Sequence, residues 1–257
     1  MKVVIPARYA SSRLPGKPLL DIAGKPMIQR VWAQAVKAVS AENAWIATDD
    51  QRIMDAVSGF GGQVVMTQEA HESGTDRIAE VVDNLGFDDA EVVINVQGDE
   101  PLIPPGLIRQ VGQCLDGDPA AHMATASVPI TDAGDVTNSN VVKLVASAAG
   151  YAAYFSRSAI PYNRDTSDID MSRCMYQRHI GLYAYRAGTV RALTALPPAP
   201  TEKMEMLEQL RALWHGMKIR VLEIEEAPPH GVDTQADLDA VRALLSEGSS
   251  NSREQAG

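Results

Sequence analysis

Hydrophobic positions in the first half of the chain fall alternately into short continuous runs and into runs with helical spacing. The short runs predict buried strands at residues 3–6, 45–48, 64–66 and 91–96. Helical spacing predicts helices over 26–39, after the acidic pair Asp49 and Asp50, and after the candidate N-caps Ser73 and Thr75. Strands that alternate with helices in this way predict an α/β fold with a mixed, mainly parallel sheet and helices on both faces.

The second half of the chain has a less regular pattern. Strands are predicted at 123–128, 141–145, 152–155, 179–185 and 218–224, some of them antiparallel. Helices are predicted over 206–215 and after Thr234, which can cap the last helix. Residues 161–178 form a long polar connection, and the polar residues 247–257 predict a disordered tail. We therefore expect a single domain over residues 1–246.

Charge and cysteine content narrow the class of protein. With 33 acidic against 23 basic residues and a formal net charge of −10, the chain is a poor match for a nucleic acid backbone. Cys114 and Cys174 lie far apart without metal-ligand spacing, which favours free thiols in a reducing compartment. No apolar run has the length of a signal-peptide core or a membrane span, so we expect a soluble, cytoplasmic protein without membrane or nucleic acid partners.

A cationic loop follows the first predicted strand. The segment "PARYASSRLPGKP" carries Arg8, Arg13 and Lys17 in an otherwise acidic protein. It lacks the spacing of a Walker A loop, and the chain has no GxGxxG dinucleotide motif. Arginine and lysine at the carboxyl end of a strand suit the oxygens of a polyphosphate. The alternative is that these cations form surface ion pairs with carboxylates.

A carboxylate is predicted at the same sheet edge. In "INVQGDEP", Asp99 follows a buried strand, and Gly98 permits close approach of the backbone. One or two carboxylates together with substrate phosphates are the usual ligands of Mg²⁺. Asp99 is equally compatible with an ordinary turn. Asp233 precedes the last predicted helix and is also compatible with part of a helix cap.

Several motifs occur in a fixed order along residues 2–245. They are "IPARYASSRLPGKPL", "ATDD", "SGTDR", "NVQGDEP", "YFSR", "RHIGLYAYR", "LEQLRALWHG" and "GVDT". Together they resemble the 3-deoxy-manno-octulosonate (KDO) cytidylyltransferases. The resemblance implies a nucleotide-diphospho-sugar transferase fold, a homodimer, and the reaction CTP + KDO → CMP-KDO + pyrophosphate, which activates KDO for lipopolysaccharide biosynthesis.

The resemblance also implies roles for individual residues. Lys17, Asp99 and Asp233 would be catalytic, and the two aspartates would hold Mg²⁺. Residues implied to bind CTP are Arg8, Arg13, Lys17, Ser73, Gly74, Thr75, Asp76 and Arg77. Residues implied to bind the sugar acid are Gln97, Arg157, His179, Tyr185, Glu208 and Gln209. Considered alone, "SGTDR" is also compatible with an ordinary capped helix, His179 with a core histidine, and Glu208 and Gln209 with a solvated surface.

Other functions are compatible with parts of this pattern. A cytidylyltransferase for 8-amino-KDO or for a sialic acid would use the same chemistry, although the order of motifs favours KDO over sialic acid. A glycosyltransferase would also use a carboxylate-held metal, but it would not need a cationic loop for a leaving pyrophosphate. A non-catalytic nucleotide-binding regulator is the alternative from another class. The presence of Lys17, Asp99 and Asp233 together argues against it.

Overall fold

The computed structural model describes residues 1–10, 14–166 and 168–254, with side chains up to residue 246. The strands are β1 (Lys2–Ala7), β2 (Asp21–Ile22), β3 (Lys25–Pro26), β4 (Ala44–Thr48), β5 (Gln63–Met66), β6 (Val92–Asn95), β7 (Met123–Pro129), β8 (Lys143–Ala146), β9 (Ala152–Ser156), β10 (Gln177–Arg186) and β11 (Ile219–Glu223). The helices are α1 (Met27–Val39), α2 (Gln51–Gly59), α3 (Gly74–Asn84), α4 (Pro105–Asp116), α5 (Ala133–Thr137), α6 (Ala187–Ala195), α7 (Pro200–Glu205), α8 (Gln209–Trp214) and α9 (Gln235–Glu254).

The backbone divides into two compact units. The first comprises Met1–Phe87, Asn95–Arg109 and Pro228–Gly257, and the second comprises Asp88–Ile94 and Gln110–Ala227. The single domain expected over residues 1–246 stays a prediction.

The first unit is built on parallel strands. β1 pairs in parallel with β4, and β4 pairs in parallel with β5. Helices α1 and α3 contact β1 and β4, while α2 contacts β4 and β5. All five residues of β4 are buried, as expected for a strand that is covered on both faces. The alternation of strands and helices predicted for this half of the chain is therefore confirmed.

The second unit contains a mixed arrangement of strands. β7 lies between β11, with which it is parallel, and β10, with which it is antiparallel. β8 pairs antiparallel with both β9 and β10, and β6 lies beside β10. Parallel and antiparallel pairs in one unit confirm the predicted mixed α/β class.

The prediction of one helix over residues 206–215 is wrong in its first turn. Met206 has a left-handed backbone with φ of 52° and ends α7, and α8 begins three residues later. This break turns Met206 outward, so this residue is 77% exposed. Trp214, at the end of α8, is 58% exposed. Leu207 and Leu210 are buried as predicted. Helical spacing alone could not detect a break that tertiary packing imposes.

The last helix closes the core of the first unit. Leu238 and Val241 on α9 pack with Val232, Ile22 and Met27. The backbone of α9 is helical to Glu254, eight residues into the segment 247–257 for which composition predicts disorder. Residues 255–257 lie outside the described part of the chain, so the disordered tail stays a prediction. Within the described residues, no helix combines the length and apolar character needed to cross a membrane.

The long polar connection in the second unit is anchored near its end. Tyr176 is 2% exposed and packs with Ile130 and Val136. Its carbonyl accepts a hydrogen bond of 2.8 Å from the amide of Ile130. Ile169 and Met171, which lie earlier in the connection, also pack against this cluster. A few apolar residues therefore hold a segment whose composition is mostly polar.

Candidate active site

A cleft in the first unit lies beyond the carboxyl end of β1. It encloses about 180 Å³ and is lined by Pro6, Ala7, Arg8, Ala10, Lys17, Pro18, Gln97, Gly98 and Asp99. A hydrogen bond of 3.2 Å from the amide of Val96 to the carbonyl of Val4 aligns the segment before Asp99 with β1. A Cβ atom on Gly98 would lie 2.8 Å from the carbonyl oxygen of Pro6, so only glycine fits this close approach. This edge is where open α/β sheets bind ligands.

The ammonium group of Lys17 bridges two carboxylates. Its Nζ lies 2.7 Å from Oδ2 of Asp99 and 3.1 Å from Oδ1 of Asp233. The lysine side chain is 14% exposed, whereas those of Asp99 and Asp233 are 32% and 50% exposed. The three residues that sequence analysis predicts to be catalytic therefore meet at one point, although Asp233 is 216 residues from Lys17 in the chain.

Local backbone structure brings the two aspartates together. The amide of Val232 donates a hydrogen bond of 2.8 Å to the carbonyl of Asp99, which joins the two segments directly beside the carboxylates. The carboxylate of Asp237 accepts hydrogen bonds from the amides of Asp233 and Thr234, at 3.0 and 2.8 Å. A further hydrogen bond of 2.8 Å from the hydroxyl of Thr234, and next the two amide bonds, lower the pKa of Asp237. The N-terminal cap of α9 thus orients Asp233, and the cap and metal-site interpretations of "GVDT" are compatible.

Arg8 connects the cationic loop to the segment before α3. Its guanidinium donates a hydrogen bond of 2.5 Å to the carbonyl of His71. Gly16, with φ of 67°, makes the turn that leads to Lys17, and its amide donates to the carbonyl of Tyr9 at 3.2 Å. Arg13, the third cation predicted to bind the triphosphate, lies outside the described residues.

The "SGTDR" motif forms the start of α3. Ser73 is the N-cap, and its hydroxyl accepts a hydrogen bond of 3.1 Å from the amide of Asp76. The Asp76 carboxylate in turn accepts from the amide of Ser73 at 3.0 Å, which completes a capping box. Gly74 is partly exposed, whereas Thr75 is buried. The motif therefore provides the capped helix that its sequence also allowed, and its role in binding CTP stays a prediction.

Arg77 is buried and paired below the surface. Its side chain is fully buried, and its Nη2 lies 2.6 Å from the carboxylate of Asp49, whose side chain is 14% exposed. Its Nη1 donates to the hydroxyl of Thr67. These contacts join the start of α3 to the ends of β4 and β5. These contacts give Arg77 a structural role, and its predicted contact with CTP stays a prediction.

Replacing Arg77 by leucine is expected to destabilise the protein by about 3 kcal/mol, because the substitution leaves the largely buried Asp49 carboxylate without this cation. Urea denaturation of both proteins measures the difference in the free energy of unfolding. Arg52→Leu is the matched control, since it breaks the pair between Arg52 and Asp50, in which the arginine side chain is 60% exposed. That control should change stability by less than about 1 kcal/mol. Equal losses in the two variants would contradict the prediction.

In the second unit, Arg157 directs its donors to backbone carbonyls. Its Nε donates to the carbonyl of Glu205 at 2.7 Å, and its Nη1 donates to that of Ser139 at 3.0 Å. The ammonium of Lys143, which is buried, donates to the carbonyl of Arg157 at 2.7 Å. Burial lowers the pKa of Lys143. Hydrogen bonds of Arg157 therefore connect the end of β9 to the end of α7. The predicted contact of Arg157 with the sugar acid stays a prediction.

Two other sugar-site candidates in the second unit, His179 and Tyr185, belong to a row of aromatic rings on β10. The ring of His179 lies 5.3 Å from that of Tyr183, which lies 5.8 Å from that of Tyr185. Burial raises the pKa of Tyr183 well above its usual value, and the charges of Tyr185 and then of Glu208 raise it further. Tyr185 is 3% exposed and Gln209 is 8% exposed, whereas Glu208 is partly exposed. Gln209 is therefore not on the solvated surface that its sequence position also allowed.

Similarity to known proteins agrees with this geometry. The family model described as "Cytidylyltransferase" matches residues 2–219. The chain belongs to the cytidylyltransferase family. A 3-deoxy-manno-octulosonate cytidylyltransferase from Idiomarina loihiensis is 55% identical over 250 residues, covering 96% of this chain and 98% of its own length. The corresponding protein from Aliivibrio salmonicida is 57% identical over 245 residues, covering 95% and 98%.

Solved structures of cytidylyltransferases have the same fold. One, described as CMP:2-keto-3-deoxy-manno-octonic acid synthetase complexed with CTP, has a TM-score of 0.88 and 44% identity, covering 96% of this chain and 98% of its own. A cytidylyltransferase from Leptospira borgpetersenii has a TM-score of 0.62 at 14% identity, covering 96% of this chain and 86% of its own. The resemblance to the 3-deoxy-manno-octulosonate cytidylyltransferases and the expectation of a nucleotidyltransferase are confirmed.

The carboxylates of this cytidylyltransferase fit a hard divalent cation. Asp99 and Asp233 already share one cation, the ammonium of Lys17, so their oxygens face a common point. Among the described residues, no group of three or more histidine, cysteine, aspartate or glutamate side chains could hold a metal ion. Two carboxylates suit Mg²⁺ bound together with substrate phosphates better than a metal held by protein alone.

Some residues with clear structural roles were not predicted from the sequence. Asp49, which pairs with Arg77, had a signal in its position directly after a predicted strand, where it ends the buried run. Tyr183 had one in "RHIGLYAYR", since it shares the aromatic character of Tyr185. Lys143 had none, because its importance depends on which strands become neighbours. Gln97, predicted to bind the sugar acid, lines the cleft of the first unit.

Proposed function

We propose that this protein transfers the cytidylyl group of CTP to KDO, forming CMP-KDO and pyrophosphate for lipopolysaccharide biosynthesis. The observation that carries the proposal is the Lys17 ammonium held by Asp99 and Asp233 in a cleft beside Arg8. A triphosphate needs this combination of cations and metal-binding carboxylates. Membership of the cytidylyltransferase family and the names of its close relatives support CTP and KDO as substrates.

The residues of the first unit supply positioning and charge. The anomeric hydroxyl of KDO would attack the α-phosphorus of CTP in line, and pyrophosphate would leave. Two anions must then approach each other, so most of the catalysis is charge neutralisation and orientation. We assign Arg8, Arg13 and Lys17 to the triphosphate and to the charge of the leaving pyrophosphate. The partly exposed cap of α3, at Ser73 and Gly74, is assigned to the cytidine.

Asp99 and Asp233 are assigned as the Mg²⁺ ligands. Both are aspartates at an exposed rim, and both already bind a cationic group. When bound, the metal lowers the pKa of the attacking hydroxyl and offsets phosphate charge, which removes the need for a dedicated protein base. Lys17 would then exchange its carboxylate partners for phosphate oxygens.

The polar face of β10 and β7 in the second unit is assigned to the sugar acid. Tyr185, His179, Glu208 and Gln209 provide neutral and anionic groups for its hydroxyls, and Arg157 is the nearby sequence candidate for its carboxylate. Two buried atoms, Oγ of Ser127 and Oε1 of Gln177, have no hydrogen-bond partner among the described residues. Buried polar atoms of this kind support a ligand that brings its own hydroxyl groups.

The proposal extends to a cytoplasmic homodimer. Cys114 and Cys174 are free thiols, which supports a reducing compartment. Met204, Met206 and Trp214, on and next to α7 and α8, are exposed apolar side chains. A second copy of the chain that covers this surface would remove it from water, which supports the dimer implied by the family.

Pyrophosphate release tests the proposed reaction. The purified protein should release pyrophosphate from CTP only when Mg²⁺ and KDO are both present, and an isotopic label in KDO should appear in CMP-KDO. Parallel reactions contain 8-amino-KDO or a sialic acid, and ATP replaces CTP in a nucleotide control. Faster turnover with another sugar acid would identify that acid, instead of KDO, as the substrate. CTP binding without pyrophosphate release for any acceptor would favour a non-catalytic regulator.

A further inference from the structure

An irregularity in β10 changes which of its side chains are neighbours. In the antiparallel pairing with β7, Ile180 is opposite Ala126 and Tyr183 is opposite Thr125, so Gly181 and Leu182 are extra residues on β10. In a regular strand, the Cα atoms of residues 179 and 183 would be about 13 Å apart. Here the ring centroids of His179 and Tyr183 are 5.3 Å apart. The bulge therefore makes His179 a direct neighbour of the tyrosines on the same face.

Thr125 on β7 holds this bulge. Its side chain is fully buried, and its hydroxyl oxygen lies 3.0 Å from the carbonyl oxygen of Ile180 and 2.9 Å from that of Leu182. The same oxygen lies 3.0 Å from Nε2 of His179. One hydroxyl group therefore contacts both the extra backbone of the bulge and the histidine that the bulge repositions.

These contacts favour one tautomer of the ring. A carbonyl oxygen only accepts hydrogen bonds, so donation of the single hydroxyl hydrogen of Thr125 to Ile180 or Leu182 satisfies one close contact, whereas donation to Nε2 would leave both carbonyl oxygens facing the hydroxyl oxygen without a hydrogen. The hydroxyl oxygen can then only accept from His179, which requires a hydrogen on Nε2. Burial, and secondly the charge of Arg178, lower the pKa of His179 to about 3, so the ring is neutral near pH 7. Nδ1 is consequently the ring's acceptor.

We propose that Thr125 is a positioning residue for sugar-acid recognition, which holds His179 in the Nε2–H tautomer so that Nδ1 accepts a hydrogen bond from a hydroxyl of the substrate. The ring of Phe155, whose centroid lies 5.0 Å from that of His179 at an interplanar angle of 80°, also packs against the histidine. This inference rests on the proposed function, because it assumes that the face of β10 binds the sugar acid.

Steady-state kinetics of Thr125→Val test the positioning role. The variant keeps the shape of the side chain but cannot accept from Nε2, so the KM for KDO should rise about tenfold, the effect of one lost oriented hydrogen bond. The KM for CTP should stay within about twofold, because a general loss of structure would raise both constants. Thr125→Ser keeps the hydroxyl and should restore the KM for KDO.

The tautomer is measured independently of any substrate. Nitrogen-15 NMR of the wild-type protein with labelled histidine, assigned by comparison with His179→Gln, should show a neutral Nε2–H ring, and Thr125→Val should change that signal. An Nδ1–H ring in the wild type overturns the proposal even if Thr125→Val fails to fold. So does a folded Thr125→Val protein with an unchanged KM for KDO. If the wild type makes no CMP-KDO, the proposed function is wrong, and the NMR spectrum still decides the tautomer.

Discussion

Replacing Asp99 by asparagine is expected to reduce Mg²⁺-dependent pyrophosphate release by at least about a thousandfold. The substitution keeps the size of the side chain but removes the charge of one of the two aspartates that bind the Lys17 ammonium. Losing a metal ligand costs several kcal/mol of transition-state stabilisation, and each 1.36 kcal/mol is about a factor of ten in rate. Rates of pyrophosphate release at saturating CTP and KDO measure the effect.

The Asp99→Asn protein should remain folded, because the Asp99 side chain is 32% exposed and lies outside the core. Its unfolding midpoint in urea checks this. Asp55→Asn is the matched control, since Asp55 lies exposed on α2 and accepts only a surface hydrogen bond from Gln51. The control should keep wild-type turnover. Near-normal activity of Asp99→Asn would remove Asp99 from the metal site.

Replacing Lys17 by methionine is expected to have two opposite effects. Turnover should fall by about a hundredfold to a thousandfold, as when a preorganised group that stabilises developing charge is removed. Affinity for a divalent cation without nucleotide should rise, by about tenfold, because the ammonium of Lys17 no longer occupies the oxygens of Asp99 and Asp233. Titration with Mn²⁺, followed by electron paramagnetic resonance, measures this affinity in the absence of any reaction.

Lys25→Met is the control for the change of charge, since Lys25 is exposed on β3 in the same unit. It should leave both turnover and Mn²⁺ affinity unchanged. If Lys17→Met raised only the KM for KDO, Lys17 would serve the sugar acid instead of the triphosphate. If Mn²⁺ affinity without nucleotide fell, Lys17 would not compete with the metal for the two carboxylates.

The elements with strong local signals were predicted well. Ser73 is the N-cap of α3 as proposed from its sequence, and β1, β4 and β5 fall where continuous apolar runs predict them. The predicted helix over 206–215 failed because its apolar spacing continues through Met206, where the backbone turns left-handed. Helical periodicity reports which side chains share a face, but it does not report where packing interrupts the backbone.

The "SGTDR" motif shows where residue types are insufficient for assigning roles. The resemblance of this motif to the cytidylyltransferases implies a contact between Arg77 and CTP. In the structure the same side chain is fully buried against Asp49 and Thr67. An arginine can be buried when a carboxylate and a hydroxyl satisfy it, and that depends on strands β4 and β5 ending beside α3. No spacing within the motif encodes this arrangement.

The sequence by itself determined the α/β class, the family, and the residue types of a triphosphate site, because periodicity, glycine positions and ordered motifs are local properties. Only the tertiary structure decided that Lys17 bridges Asp99 and Asp233, that Arg77 is buried against Asp49, and that Thr125 reaches His179. Each of these facts depends on segments that are distant in the chain and become neighbours through strand order or a two-residue bulge. Contacts of that kind arise from packing, so they cannot be deduced from any one stretch of sequence.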